Sequence, residues 1–93
     1  MIQSRTTRRF REAFANLPKE VRKQVLQAYQ LFRKNPHHPS LRFKKVDEDS
    51  STWSVRVGLA YSALGIMEGS TVIWFWIGSH ADYERLVRQI RKR

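Results

Sequence analysis

Six consecutive large apolar residues, Val72-Ile73-Trp74-Phe75-Trp76-Ile77, set the tightest limit on how this chain can fold. The run is β-branched and aromatic, so it reads as a strand, and it is apolar at both parities, so at least one face must be covered. It passes through Gly78-Ser79 into His80-Ala81-Asp82-Tyr83 at the start of a last helix. A central strand therefore ends beside an imidazole and a phenol, and the other elements are what packs on it.

The 93 residues suit one domain spanning 1–93. Eighteen Lys and Arg face eight Asp and Glu, a net charge of +10. A charge that large on a small globular domain favours a polyanionic partner: nucleic acid, an acidic protein or an anionic membrane. The chain has no cysteine, which rules out disulfides and Cys–zinc sites and agrees with a reducing cytoplasm. No apolar run reaches the ~18–20 residues that cross a bilayer. Met1-Ile2-Gln3-Ser4-Arg5 lacks the apolar core of a secretory signal. The expectation is a cytoplasmic protein with no membrane partner.

Taken in order, residues 1–6 read as a short basic arm. Thr6 or Thr7 caps a first helix whose apolar face is Phe10, Phe14 and Leu17. Pro18 opens a second helix, with Glu20 in its first turn. Val21, Val25, Ala28, Tyr29 and Phe32 form its stripe, Leu26 and Leu31 widen it, and Asn35-Pro36 ends it. So short a link predicts an antiparallel helical hairpin. His37-His38-Pro39-Ser40 is a loop.

Residues 41–46 alternate as a first strand, and 47–52 form an acidic turn. Trp53-Ser54-Val55-Arg56-Val57 is the cleanest alternation in the chain. Residues 60–66 make the next strand, Glu68-Gly69-Ser70 a hairpin turn, and the apolar run the fourth strand. Residues 80–91 are a helix with Tyr83, Leu86, Val87 and Ile90 inward and Arg85, Arg88, Arg91 and Lys92 outward. The order predicts an α+β fold of two layers, in which the N-terminal hairpin and the C-terminal helix cover one face of an antiparallel four-stranded sheet.

The other face would stay open, and alternation says what lines it. Val55 and Val57 should point at the helices, and Ser54 and Arg56 away from them. Assigning Ile73, Phe75 and Ile77 to the helices leaves Trp74 and Trp76 on the open face with Arg56, Ser62, Arg42 and Lys44. Cations neutralise phosphates, and indoles stack on unpaired bases at about 1–3 kcal/mol each. His80 carries an imidazole that can donate or accept a proton, with Tyr83 one turn on. The His37-His38 pair lacks the carboxylates or thiolates of a metal site. Phosphate-loop, nucleophile-elbow and helix-turn-helix signatures are also missing. The expectation is acid–base chemistry at a phosphate with no metal and no cofactor.

Four stretches resemble the RelE/ParE superfamily of bacterial type II toxin–antitoxin toxins. They are Leu17-Pro18 with Asn35-Pro36; His38-Pro39-Ser40-Leu41-Arg42-Phe43-Lys44-Lys45; Trp53-Ser54-Val55-Arg56-Val57-Gly58 with Tyr61; and Trp74-Phe75-Trp76-Ile77-Gly78-Ser79-His80 with Asp82-Tyr83. The resemblance implies a basic toxin neutralised by a cognate antitoxin. RelE-like members cut mRNA, commonly on the ribosome, by attack of a ribose 2′-hydroxyl on the adjacent phosphate. ParE-like members instead inhibit DNA gyrase. A plain nucleic-acid-binding module is a third reading.

By position, the resemblance implies catalytic roles for His80, Arg56 and Tyr83. It implies a phosphate contact from Lys44, and the reading of the open, basic face adds RNA or phosphate contacts from Arg42, Lys45, Trp74 and Trp76. One position departs: relatives usually carry Arg after the strand Tyr, and here Ser62 follows Tyr61. If Ser62 marks a lost phosphate clamp, Ser62→Arg should raise nuclease activity.

Overall fold

The computed structural model describes residues 2–91. Its elements are β1 (Gln3–Thr6), α1 (Arg8–Ala15), α2 (Lys19–Lys34), a 3-10 turn (Pro39–Leu41), β2 (Lys44–Lys45), β3 (Thr52–Val57), β4 (Tyr61–Glu68), β5 (Thr71–Ser79) and α3 (His80–Arg91). The five strands form one mixed sheet in the order β1-β5-β4-β3-β2, and the apolar run lies within β5. Thr7 caps α1, its hydroxyl accepting from the Phe10 amide at 3.1 Å. Pro18 directly precedes α2, and Arg22 donates back to the Leu17 carbonyl at 2.8 Å, closing the turn between the helices. Gly69, at φ 59°, supplies the left-handed backbone of the two-residue β4–β5 turn.

The predicted two-layer sandwich of four antiparallel strands needs three corrections. First, the N-terminal arm contributes a strand. β1 runs parallel to β5, with Gln3 opposite Thr71 and Thr6 opposite Trp74. Gln3-Ser4-Arg5-Thr6 carries no apolar alternation, because an edge strand held by backbone bonds can leave its side chains in water. Second, the strand predicted at 41–46 shrinks to Lys44–Lys45. Pro39 starts a 3-10 turn instead, the His38 imidazole accepts from the Ser40 amide, and Arg42 leaves the turn at φ 46°.

The third correction concerns the faces. α1 and α2 cover one face and α3 lies on the other, so the sheet has helices on both sides. The first core joins Phe10 of α1 and Phe32 of α2 to Val55, Ala63, Val72, Trp74 and Ile77 of the sheet. The second joins Tyr83 and Val87 of α3 to Val46 and Leu64, with Phe75 and Trp76 against it. The parity assigned to β5 fails because the strand is bulged. Leu64 pairs with Trp76 and Gly65 with Trp74, which leaves Phe75 as an extra residue. A bulge shifts the alternation by one. Val72 and Trp74 before it, and Ile77 after it, therefore share the α1/α2 face. On β3 the alternation holds: Val55 and Val57 point at α1 and α2, and Ser54 at α3.

Candidate functional site

The polar groups named from the sequence gather where the α3 face of the sheet meets the start of α3. β3 presents Ser54 and Arg56 there. Lys44 pairs with Ser54 from β2, and Ser62 pairs with Arg56 from β4. Ser62 in turn pairs with Gly78 near the end of β5, and His80 begins α3 two residues later. The His80 amide donates to the Ala60 carbonyl at 2.7 Å, which ties the first turn of α3 to the β3–β4 turn.

His80 is held on three sides. Its ring stacks on Tyr83 with centroids 5.6 Å apart and planes 22° apart. Nε2 lies 3.1 Å from a Glu84 carboxylate oxygen, one turn along α3. Nδ1 is covered and has no partner among the described residues. The side chain remains 40% exposed. A carboxylate at one ring nitrogen fixes the ring and its tautomer. Glu84 was missed from the sequence, although a Glu four residues after a His on a helix is a readable spacing.

Tyr83, expected beside His80 at the site, has its hydroxyl engaged in the core. It is 9% exposed, and its hydroxyl donates to Ser54 Oγ at 3.1 Å inside the α3 core. The phenol therefore ties α3 to β3 and supports the imidazole with its ring. Arg56 keeps one guanidinium nitrogen on the Leu59 carbonyl at 3.1 Å, while its Nε is covered and has no partner among the described residues. Asp82 pairs with Arg85; this hydrogen bond, with a second involving Ser79, holds its carboxyl below the usual 3.8.

The remaining predicted contacts divide. Lys44 shares the face of Ser54 and Arg56. Lys45 pairs with Trp53, so it points to the other face. Arg42 is not on a strand; it lines a hollow of about 700 Å³ between α2, the 3-10 turn and the β3–β4 turn, and Arg56 lines the same hollow. Trp76 is half-buried against the α3 core, its ring lying over Gly78, where an added Cβ would come within 2.6 Å. Trp74 is core: 7% exposed, edge-on to Phe32, with its indole N–H donating to Ser4 Oγ at 3.2 Å. It cannot stack on a base. Ser62 is 4% exposed and so occupies a covered position.

Among the described residues, no three of His, Asp and Glu are grouped to hold a metal ion, and no helix is long and apolar enough to cross a membrane. The face thus combines two cationic side chains, Arg56 and Lys44, with the His80 imidazole at the start of α3.

The model of the family described as the ParE-like toxin domain matches residues 19–85. No curated protein sequence matches the chain. Among solved structures, the antitoxin–toxin complex RelB–RelE of Methanococcus jannaschii contains a similar chain: TM-score 0.69 and 18% identity, over 88% of this chain and 96% of that one. A toxin–antitoxin complex of Mycobacterium tuberculosis gives TM-score 0.67 and 20% identity, covering 85% and 98%. The isolated RelE toxin of E. coli gives 0.64 and 14%, covering 97% and 99%. These likenesses are of fold.

Proposed function

The chain belongs to the ParE-like toxin domain family, and from that premise we propose that it is the toxin of a type II toxin–antitoxin pair that blocks translation by cutting mRNA. The observation that carries the reading is His80, braced by Glu84 and Tyr83 at the end of a sheet face that also presents Arg56 and Lys44. An RNA strand laid on this face would place a phosphate against the two cations. Attack of a ribose 2′-oxygen on that phosphate forms the new P–O bond and breaks the bond to the 5′-oxygen. The proton leaves the 2′-hydroxyl and another reaches the departing 5′-oxygen. His80 is positioned for one of these transfers. Arg56 and Lys44 meet the charge that grows on the phosphoryl oxygens. The products are a 2′,3′-cyclic phosphate and a 5′-hydroxyl.

A cognate antitoxin as partner accords with the two similar chains solved within antitoxin complexes and with the net charge of +10. The ParE-like description of the family sustains a second reading, a toxin that binds DNA gyrase without chemistry. One experiment separates them: a cell-free translation extract and a supercoiling assay, each dosed with wild type, His80→Ala and Arg56→Ala. The nuclease reading expects cleaved mRNA and arrested translation with wild type, both lost in the two variants, and supercoiling untouched. Intact mRNA with lost supercoiling would transfer the protein to the second reading. Undiminished cleavage by both variants would remove the proposed site.

A further inference from the structure

Arg56 belongs to two surfaces. The alternation of β3 sets it with Ser54, apart from Val55 and Val57. Its side chain also lines the hollow of about 700 Å³ between α2, the 3-10 turn and the β3–β4 turn. The reason is the shortness of β2. That strand pairs only with Trp53 and Ser54, so the end of β3 has no outer neighbour and Arg56 stands at an open sheet edge. At this edge the His80 face passes into the hollow. The turn on its rim is fixed from both sides. The Ala60 carbonyl accepts from the His80 amide at 2.7 Å. Gly58 lies so close to the Gln24 side chain of α2 that an added Cβ would fall 2.7 Å from Oε1.

The hollow carries positive charge with nothing to offset it. Arg42 and Arg56 both line it, and among the described residues no carboxylate does. Neither arginine forms an ion pair among the described residues, whereas Arg8 and Arg85 do. Arg42 is exposed and sits at φ 46° and ψ 43°, a left-handed backbone that favours glycine. Strain of that kind collects at functional positions. Two guanidinium forks without carboxylates match the oxygens of a phosphate. Gln27 and Ser40 add neutral hydrogen-bonding groups to the lining, and Leu59, 90% exposed at the rim, adds an apolar surface. Phosphate, hydroxyls and an apolar ring face are the parts of a nucleotide. An acidic peptide would also meet the arginines, but continuity with the His80 face favours the strand which that face takes.

We propose that the hollow is a second RNA subsite. It holds the phosphate next to the one on the His80 face, between Arg42 and Arg56, with the attached ribose and base against Leu59. The proposal rests on the nuclease reading for the strand it takes. Arg42 is then a positioning residue: it fixes where the strand lies and touches no reacting atom.

The test uses the full chain and a 2′-O-methyl RNA dodecamer of mixed sequence, which lacks the attacking hydroxyl and stays intact. Binding is measured by fluorescence anisotropy over a salt series and mapped by NMR on isotope-labelled protein. With wild type, the amides of Ser40, Arg42 and Leu59 should shift together with that of His80. Arg42→Gln should weaken binding roughly three- to tenfold. It should also flatten the slope of log K against log salt by about 0.7, the share of one phosphate on a single strand. Arg42→Gly should bind as weakly yet melt no lower than wild type, because glycine is at ease in the left-handed region. That variant separates a lost contact from a lost fold. Leu59→Ser should weaken binding and leave the salt slope unchanged. Cleaved mRNA in a translation extract, with affinity and slope unaltered in Arg42→Gln, would overturn the subsite and leave the nuclease reading standing. Intact mRNA, with the dodecamer still held at Arg42, would keep the subsite and fell the nuclease reading. Absence of shifts at Ser40, Arg42 and Leu59, or the same shifts and affinity with an oligoglutamate of matched charge, would also overturn the proposal.

Discussion

Tyr83→Phe separates a structural phenol from a catalytic one. The hydroxyl makes a 3.1 Å hydrogen bond to Ser54 Oγ inside the α3 core, where both residues are buried. Removing it costs one net hydrogen bond and leaves the Ser54 hydroxyl short of a partner, together about 1–2 kcal/mol. For a domain this size each kcal/mol moves the midpoint by about 4–8 °C, so Tyr83→Phe should melt roughly 5–15 °C lower. Ser54→Ala should cost a similar amount. The double variant should cost less than the sum, by about 0.5–1.5 kcal/mol, because neither polar group is then stranded. Paired thermal and urea unfolding measures this cycle. The phenyl ring of the variant still stacks beneath His80, so growth arrest should persist at temperatures well below its midpoint. Strict additivity, or loss of arrest in a folded Tyr83→Phe protein, would refute the reasoning and return the hydroxyl to the reaction.

Two further outcomes follow from packing. Ser62→Arg should lower stability by about 1–3 kcal/mol and give no gain in mRNA cleavage. The position is 4% exposed, so a long side chain overpacks it and sets a second guanidinium against Arg56 on the neighbouring strand. A stable variant with higher activity would show that Ser62 is a vacated clamp after all. Gly65→Ala should cost about 1–3 kcal/mol in urea unfolding, since its Cβ would fall 2.6 Å from Val72 Cγ2 and 2.8 Å from Trp74 Cε3. A neutral result would mean that the bulge beside it can relax.

Much of the local structure was legible in the chain. A threonine cap at Thr6 or Thr7, the stop at Asn35-Pro36, the alternation of β3, the turn at Gly69-Ser70 and the span of α3 are all set by neighbours in sequence. His80 at a strand end and the alternation that sets Arg56 apart from Val55 and Val57 on β3 were equally readable. They depend only on where one strand stops and on which parity a clean strand presents.

The tertiary structure decided what local pattern could not. β1 is polar and is a strand only because β5 offers it backbone partners. The parity of Val72-Ile73-Trp74-Phe75-Trp76-Ile77 was ambiguous because every residue is apolar, and the bulge opposite Leu64 and Gly65 resolved it by putting Trp74 in the core. That change moved an expected base-stacking indole to the far side of the sheet. The side on which α3 packs decided the rest. With α3 over Ser54 and Leu64, the face expected to be open is half covered, Tyr83 becomes a strut and Ser62 is sealed, while Leu26 and Tyr29 of α2 stay exposed. A sequence states which residues are apolar and at what period; which of two apolar faces is filled depends on volumes brought together from distant parts of the chain.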